Sequence, residues 1–255
     1  MSDVVQRHTI EKRGERGGMN FYQLYHSDSY LREMEAVVVR VAGNRIALDQ
    51  TVFYAQSGGR PADHGTLSWT GAQTRVVDVR RQGENLWHQV EGPIPPEGAR
   101  VHGLLDWTRR YALMRTHTAL HILCGVIWRD YKARVTSSSM GPGQARQDFE
   151  LERLTLDFVT EVERRVNAEI EANREVRIRF LPRAEAFTLP DLIRTKINLL
   201  PKEIEVVRVC EIAGLDLQAD GNTHVARTRE VGSIRVAGHK SKGRINKRLR
   251  LAIEW

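Results

Sequence analysis

The chain has 255 residues, enough for one large or two ordinary domains with a full core and no need of disulfide staples. Its two cysteines, Cys124 and Cys210, make no disulfide framework and suit a reducing cytoplasm. Its longest apolar stretch, around ALHILCGVIW, is about half the length of a membrane span, so a soluble protein is expected. Lys and Arg outnumber Asp and Glu by 39 to 32.

Residues 1–19 are polar and carry no apolar core, so they are expected to form a flexible leader, not a secretory signal. From Asn20 to Leu105 the chain is strand-like and rich in turns. EAVVVRVAGNRIALDQT holds two β-rich runs around a Gly-Asn turn, and GTLSWTGAQTRVVDVRRQGENLWHQVEG continues with short runs broken by Gly and Asn. This spacing predicts a small β-barrel over 20–105. EGPIPPEGAR is a loop, since its prolines cannot serve a central strand.

At Asp106 the character changes, and an α+β unit is expected over 106–255. TRRYALMRTHTALHILCGVIWRDY has helical spacing. VTSSSMGPGQARQDFEL reads as loop followed by strand. Glu152 to Asn173 reads as an amphipathic helix with Leu156, Val159, Val162, Val166 and Ile170 on its inner side. Short strands are expected near EVRIRFLP, IEVVRVCEI, HVARTREVGSIRVAG and RLRLAIEW, with a short helix around AEAFTLPDLI.

Chemistry concentrates in four places. In RTHTALHIL, His117 and His121 are four apart, so both imidazoles leave one helix face with a spacing that suits zinc. A zinc protease would carry Glu after the first histidine; Thr118 stands there instead. In DLQADGNTHV, His224 follows a turn, and Asp220 four residues earlier is either an oxygen ligand or a simple turn residue. In TVFYAQSGGRPADHG, Gly58 and Gly59 permit positive φ or close backbone approach. The basic clusters are DWTRRYALMR, with Arg109, Arg110 and Arg115, and the acid-free HKSKGRINKRLR, with Lys240, Lys242 and Arg244. Clusters of this kind suit phosphate binding by counterion release.

Together these stretches resemble the alanyl-tRNA editing proteins, the free-standing relatives of the editing domain of alanyl-tRNA synthetase, in their medium-length form. TVFYAQSGGRPADHG resembles the family's glycine-rich motif, DWTRRYALMRTHTALHIL its first zinc motif, DLQADGNTHVARTREVG its second and SKGRINKRL its ending. The resemblance implies a translation-protein-like barrel followed by an editing domain of the threonyl/alanyl-tRNA synthetase second-additional-domain type. It implies one zinc per chain on His117, His121 and His224, with Asp220 where the family has Cys and Asn222 where it has Gly. Cys210 lies ten residues too early to replace that cysteine. Thr136, Gln218, Gly58 and Gly59 are implied at the substrate, and Arg109, Arg110, Lys240, Lys242 and Arg244 at the acceptor end of alanine tRNA. The implied reaction is ATP-independent, cytoplasmic deacylation of seryl- and glycyl-tRNA, with zinc polarising water or holding the substrate. No side chain beside the motifs reads as a general base, so a hydroxyl of the terminal adenosine is available to help. The rival readings are a tRNA-binding module without catalysis and a zinc hydrolase of another acyl ester.

Overall fold

The computed structural model describes residues 22–196, 200 and 204–255. The expected leader lies outside these residues. The first unit contains β1 (Tyr22–Gln23), β2 (Glu33–Ala42), β3 (Arg45–Leu48), β4 (Gln50–Thr51), β5 (Gly65–Trp69), β6 (Ala72–Gln82), β7 (Asn85–Glu91) and β8 (Arg100–Leu105). Six of these close into a barrel in the order β2-β3-β7-β6-β5-β8. Alternation along β2 sends Met34, Ala36 and Val38 inward, where they meet Ile46, Leu67, Val79 and Val101. The long β4–β5 connection, which carries Gly58 and Gly59, is tethered to the barrel by Gln56 N donating to Val79 O at 2.8 Å.

The α+β part begins with α1 (Trp107–Tyr131), followed by β9 (Val135–Gly141), β10 (Gln144–Glu150), α2 (Leu156–Glu171), β11 (Val176–Pro182), α3 (Arg183–Ala186), β12 (Val206–Ile212), β13 (Asp216–Ala219), β14 (Ser233–Ser241) and β15 (Asn246–Glu254). Asp106 starts α1 by accepting from Arg109 N at 3.0 Å, and Lys132, at φ 54°, ends it. The helix is buried on most sides and forms the centre of a core with Phe149, Val162, Val166, Leu249 and Leu251. Around it stand two sheets, β14-β15-β10-β9 and β11-β12-β13.

Four local expectations change. The serine-rich stretch is not a loop but β9, because β10 offers it a full set of pairing partners. The α2 helix is shorter than expected and starts where the Thr155 hydroxyl accepts from Phe158 N. The AEAFTLPDLI helix is reduced to the single turn α3, after which Thr188 N and Leu189 N turn to Glu185 O and Ala186 O three residues back and no longer continue the α ladder. HVARTREVG is extended only at a bridge from Arg227 to Glu175, and Thr228–Val231 turn into a 3-10 helix before β14.

One of the contacts between the two units is at β9. Met140 N donates to Gly59 O at 2.9 Å, so the glycine loop pairs with the end of that strand. Gly59 has φ 83°, and a Cβ there would stand 2.6 Å from Ser138 O. At the other end of β9, Val135 N donates to Arg194 O and its carbonyl accepts from Lys196 N.

Candidate metal centre

The i, i+4 spacing on α1 places His117 and His121 side by side, with ring centroids 4.9 Å apart. Along β13 the period of two puts Asp216 and Gln218 on one face, and Asp220 continues that row. The turn after Asp220 brings His224 to the pair, at 4.8 Å from His117 and 4.7 Å from His121. One donor atom from each of His117, His121, Asp220 and His224 lies within 4.8 Å of all the others. Two helix residues and two from a distant loop thus converge on one point, with His224 3 % exposed and His121 7 % exposed.

The surroundings fix which atoms face that point. His121 Nδ1 donates to Asp216 Oδ2 at 3.0 Å, and Gln218 Nε2 braces the same oxygen at 2.7 Å. His224 Nδ1 is 3.1 Å from Thr118 Oγ1, which leaves its Nε2 toward Asp220 Oδ2 at 2.9 Å. His117 Nε2 stands 3.4 Å from Asp220 Oδ1, and its buried Nδ1 has no partner among the described residues. Burial pushes His117 down and His224 well down from the ordinary imidazole value. For Asp220 burial acts upward, but the His117 and His224 imidazoles overcome it and hold the carboxyl well below its usual range. At His121 burial acts downward most strongly, but the hydrogen bond to Asp216 and the charges of Asp220 and Asp216 together exceed it, so that imidazole goes up. At His117, His224 and Asp220 these shifts favour the neutral imidazole and ionised carboxylate that bind metal. This donor set fits zinc or another borderline divalent ion.

A cleft of about 230 Å³ opens beside the cluster. Its lining includes His117, His121, Asp220, Gln218 and Asn222 from the cluster side, and Leu120, Cys124 and Val135 as an apolar wall. Gly58 reaches it from the barrel; Gly59 instead faces the β9 backbone. Cys210 is buried in β12 opposite Gln218 and is not one of the four donors.

Thr136 does not line this cleft. It is the extra residue of a β-bulge, since Asp148 pairs with Ser137 and Phe149 with Val135, and its hydroxyl is 3.1 Å from Asn246 Oδ1. Val135 and Ser138 are the β9 residues that reach the cavity. Arg110, expected at the tRNA, is placed away from the surface: it is 0 % exposed, its Nε donates to Asp63 Oδ2 at 2.8 Å, and its other nitrogens bind Ser29 O and Val52 O. Arg109 is half-buried with Nε on Ala62 O. Lys240, Lys242 and Arg244 are exposed, though Lys242 Nζ stands 3.3 Å from the buried Asp148.

Asp216, Tyr54, Ser138, Gln147 and Arg194 at or behind the site were not singled out in the sequence. Asp216 had a usable signal, the alternate spacing Asp216, Gln218, Asp220. The others come from segments whose approach only tertiary packing decides.

Residues 20–109 match the family model of class II tRNA synthetases (A), and residues 207–250 match the threonyl and alanyl tRNA synthetase second additional domain. The chain is 38 % identical over 232 residues to the alanyl-tRNA editing protein AlaX-M of Saccharolobus solfataricus, covering 89 % of this chain and 96 % of that one. Against AlaX-M of Methanosarcina barkeri identity is 35 % over 233 residues, with the same coverage. Against the alanine–tRNA ligase of Pyrobaculum aerophilum it is 39 % over 225 residues, 84 % of this chain and 25 % of the ligase.

Proposed function

The chain belongs to the AlaX-M family of alanyl-tRNA editing proteins, and from that premise we propose that it hydrolyses seryl- and glycyl-tRNA of the alanine type with one zinc ion per chain. His117, His121, Asp220 and His224 hold the ion in this reading. The observation that carries it is the convergence of these four donors at the wall of a cleft. A zinc ion held there would supply Lewis acidity at the ester.

The chain's own residues do the rest. Asp216 and Gln218 hold His121 from behind. Leu120, Cys124 and Val135 keep water from one wall. Gly58, with no side chain to obstruct, admits the nucleotide end. A second sieve is needed because a synthetase pocket for alanine cannot strongly reject serine or glycine. Lys240, Arg244 and the free part of Arg109 hold acceptor-stem phosphates. In this reading 20–105 is the barrel unit, 106–255 is the editing unit, and the reaction is cytoplasmic. Among the described residues no helix is long and apolar enough to cross a membrane.

The test is deacylation of seryl-, glycyl- and alanyl-tRNA with and without chelator. Seryl-tRNA should be cleared, alanyl-tRNA spared, and chelator should stop the reaction. Fully metallated protein that binds tRNA but leaves every ester intact would establish a binding module instead.

A further inference from the structure

We propose that Asn222 and the barrel residue Tyr54 act together as positioning residues that aim the Asp220 carboxylate at the imidazole cluster. The proposal rests on the reading of Asp220 as a metal ligand. Asn222 grips the carboxylate twice: its backbone N donates to Oδ2 at 2.8 Å and its Nδ2 donates to Oδ1 at 2.7 Å. Each oxygen keeps lone-pair capacity on the side of His117 and His224.

Tyr54 decides which end of the Asn222 amide faces Asp220. Its hydroxyl donates to Asn222 Oδ1 at 2.5 Å, so Nδ2 is the end left for the carboxylate. Tyr54 itself is held firmly. It is 3 % exposed, the Arg60 guanidinium lies 4.1 Å over its ring, and the Tyr25 ring meets it edge-on at 5.2 Å. Arg60 also donates to Thr223 Oγ1 at 2.6 Å, so the barrel grips the metal loop at two adjacent residues.

A competing state makes this grip consequential. Arg208 Nη1 donates to Asp220 O at 2.8 Å and lies 3.9 Å from Oδ2, while Arg208 Nη2 is buried with no partner among the described residues. A carboxylate free to rotate would close on that guanidinium as a charge-assisted pair and leave the cluster. Asn222 and Tyr54 hold it away.

The test is zinc affinity by competition with a chromophoric chelator, with zinc alone as the probe. It compares the parent, Tyr54→Phe, Asn222→Ala and their double variant, each with Asp220 and with Asp220→Cys. With Asp220 present, each variant should weaken zinc by about 10–100-fold, the range seen when partners behind a metal ligand are removed. The double variant should cost little more than Asn222→Ala alone, since both act along one path. With Cys at 220 there is no carboxylate to aim, and the losses should vanish. Tyr54→Phe removes one hydroxyl; should it not fold, Asn222→Ser tests the same link from the other end. Parent-like zinc affinity in both Tyr54→Phe and Asn222→Ala, beside loss in Asp220→Ala, would overturn the positioning role alone. Full zinc affinity in Asp220→Ala would overturn the ligand reading and the proposal with it.

Discussion

At His121 the imidazole is braced from behind, with Nδ1 on Asp216 and Gln218 closing on the same carboxylate. Such partners fix the tautomer and the ring plane of a metal-binding histidine. Asp216→Asn should therefore weaken zinc about 10–100-fold, read by chelator competition. His117→Ala and His121→Ala should remove the metal altogether, read by elemental analysis. Full metal in both alanine variants would show that the ion, if any, sits elsewhere. The helical pair was legible because its spacing is local. Asp220 was legible only as one of two possibilities, since the turn that carries it looks the same whether or not it meets α1.

Among the elements, β10 and β15 are joined by more than their ladder. Arg248 donates to Asp148 from Nε at 2.7 Å and Nη2 at 2.8 Å, and Lys242 approaches the same carboxylate. The hydrogen bonds from Arg248, against the opposing effect of burial, hold the Asp148 carboxyl below its ordinary value of 3.8. A depressed folded-state value stabilises the protein above pH 3.8, and that contribution is lost as pH falls below it. Asp148→Asn should cost about 1.5–3 kcal/mol at pH 7, and the gap to the parent should narrow on acidification, measured by urea unfolding across pH. An equal gap at pH 3 and pH 7 would assign the loss to packing instead. The same region shows where sequence reading stops. The serines of β9 have weak strand preference, and what makes them a strand is β10 beside them. The bulge then removes Thr136 from the cleft, a one-residue event that no periodicity announces.

For the whole molecule, the barrel and the helix unit are joined by a buried ion pair. Asp63 and Arg110 are both 0 % exposed, and Arg60 completes the group at 3.4 Å from Asp63 Oδ1. Removing one partner of a buried pair leaves an uncompensated charge, so Asp63→Ala should destabilise by about 3–5 kcal/mol. Chemical denaturation that finds less than 1 kcal/mol would refute this. Burial also redirects the basic cluster around Arg110. In the sequence it counts with Arg109 as a phosphate contact, but burial converts it into a joint between units. The electrostatic footprint for tRNA is thereby narrowed. Neutralising Lys240 and Arg244 should lower the salt slope of binding by about one unit each, whereas Lys242, already near Asp148, should change it less. Equal slopes for all three single variants would contradict that ranking.

The pairing of Gly59 with Met140 has a consequence for how the two units can be separated. β9 is the border strand of its sheet, and a border strand offers free N–H and C=O groups to any extended chain that meets it. In the intact protein the barrel's own backbone sits at one end of that border and 194–196 sit at the other. A fragment of 106–255 keeps the second guard and loses the first. It should self-associate through the Ser138–Gly141 end, in a way that restoring the barrel in cis suppresses. Sedimentation of the fragment beside the whole chain reads this directly, and self-association of the fragment alone would give the glycine loop a duty independent of any substrate.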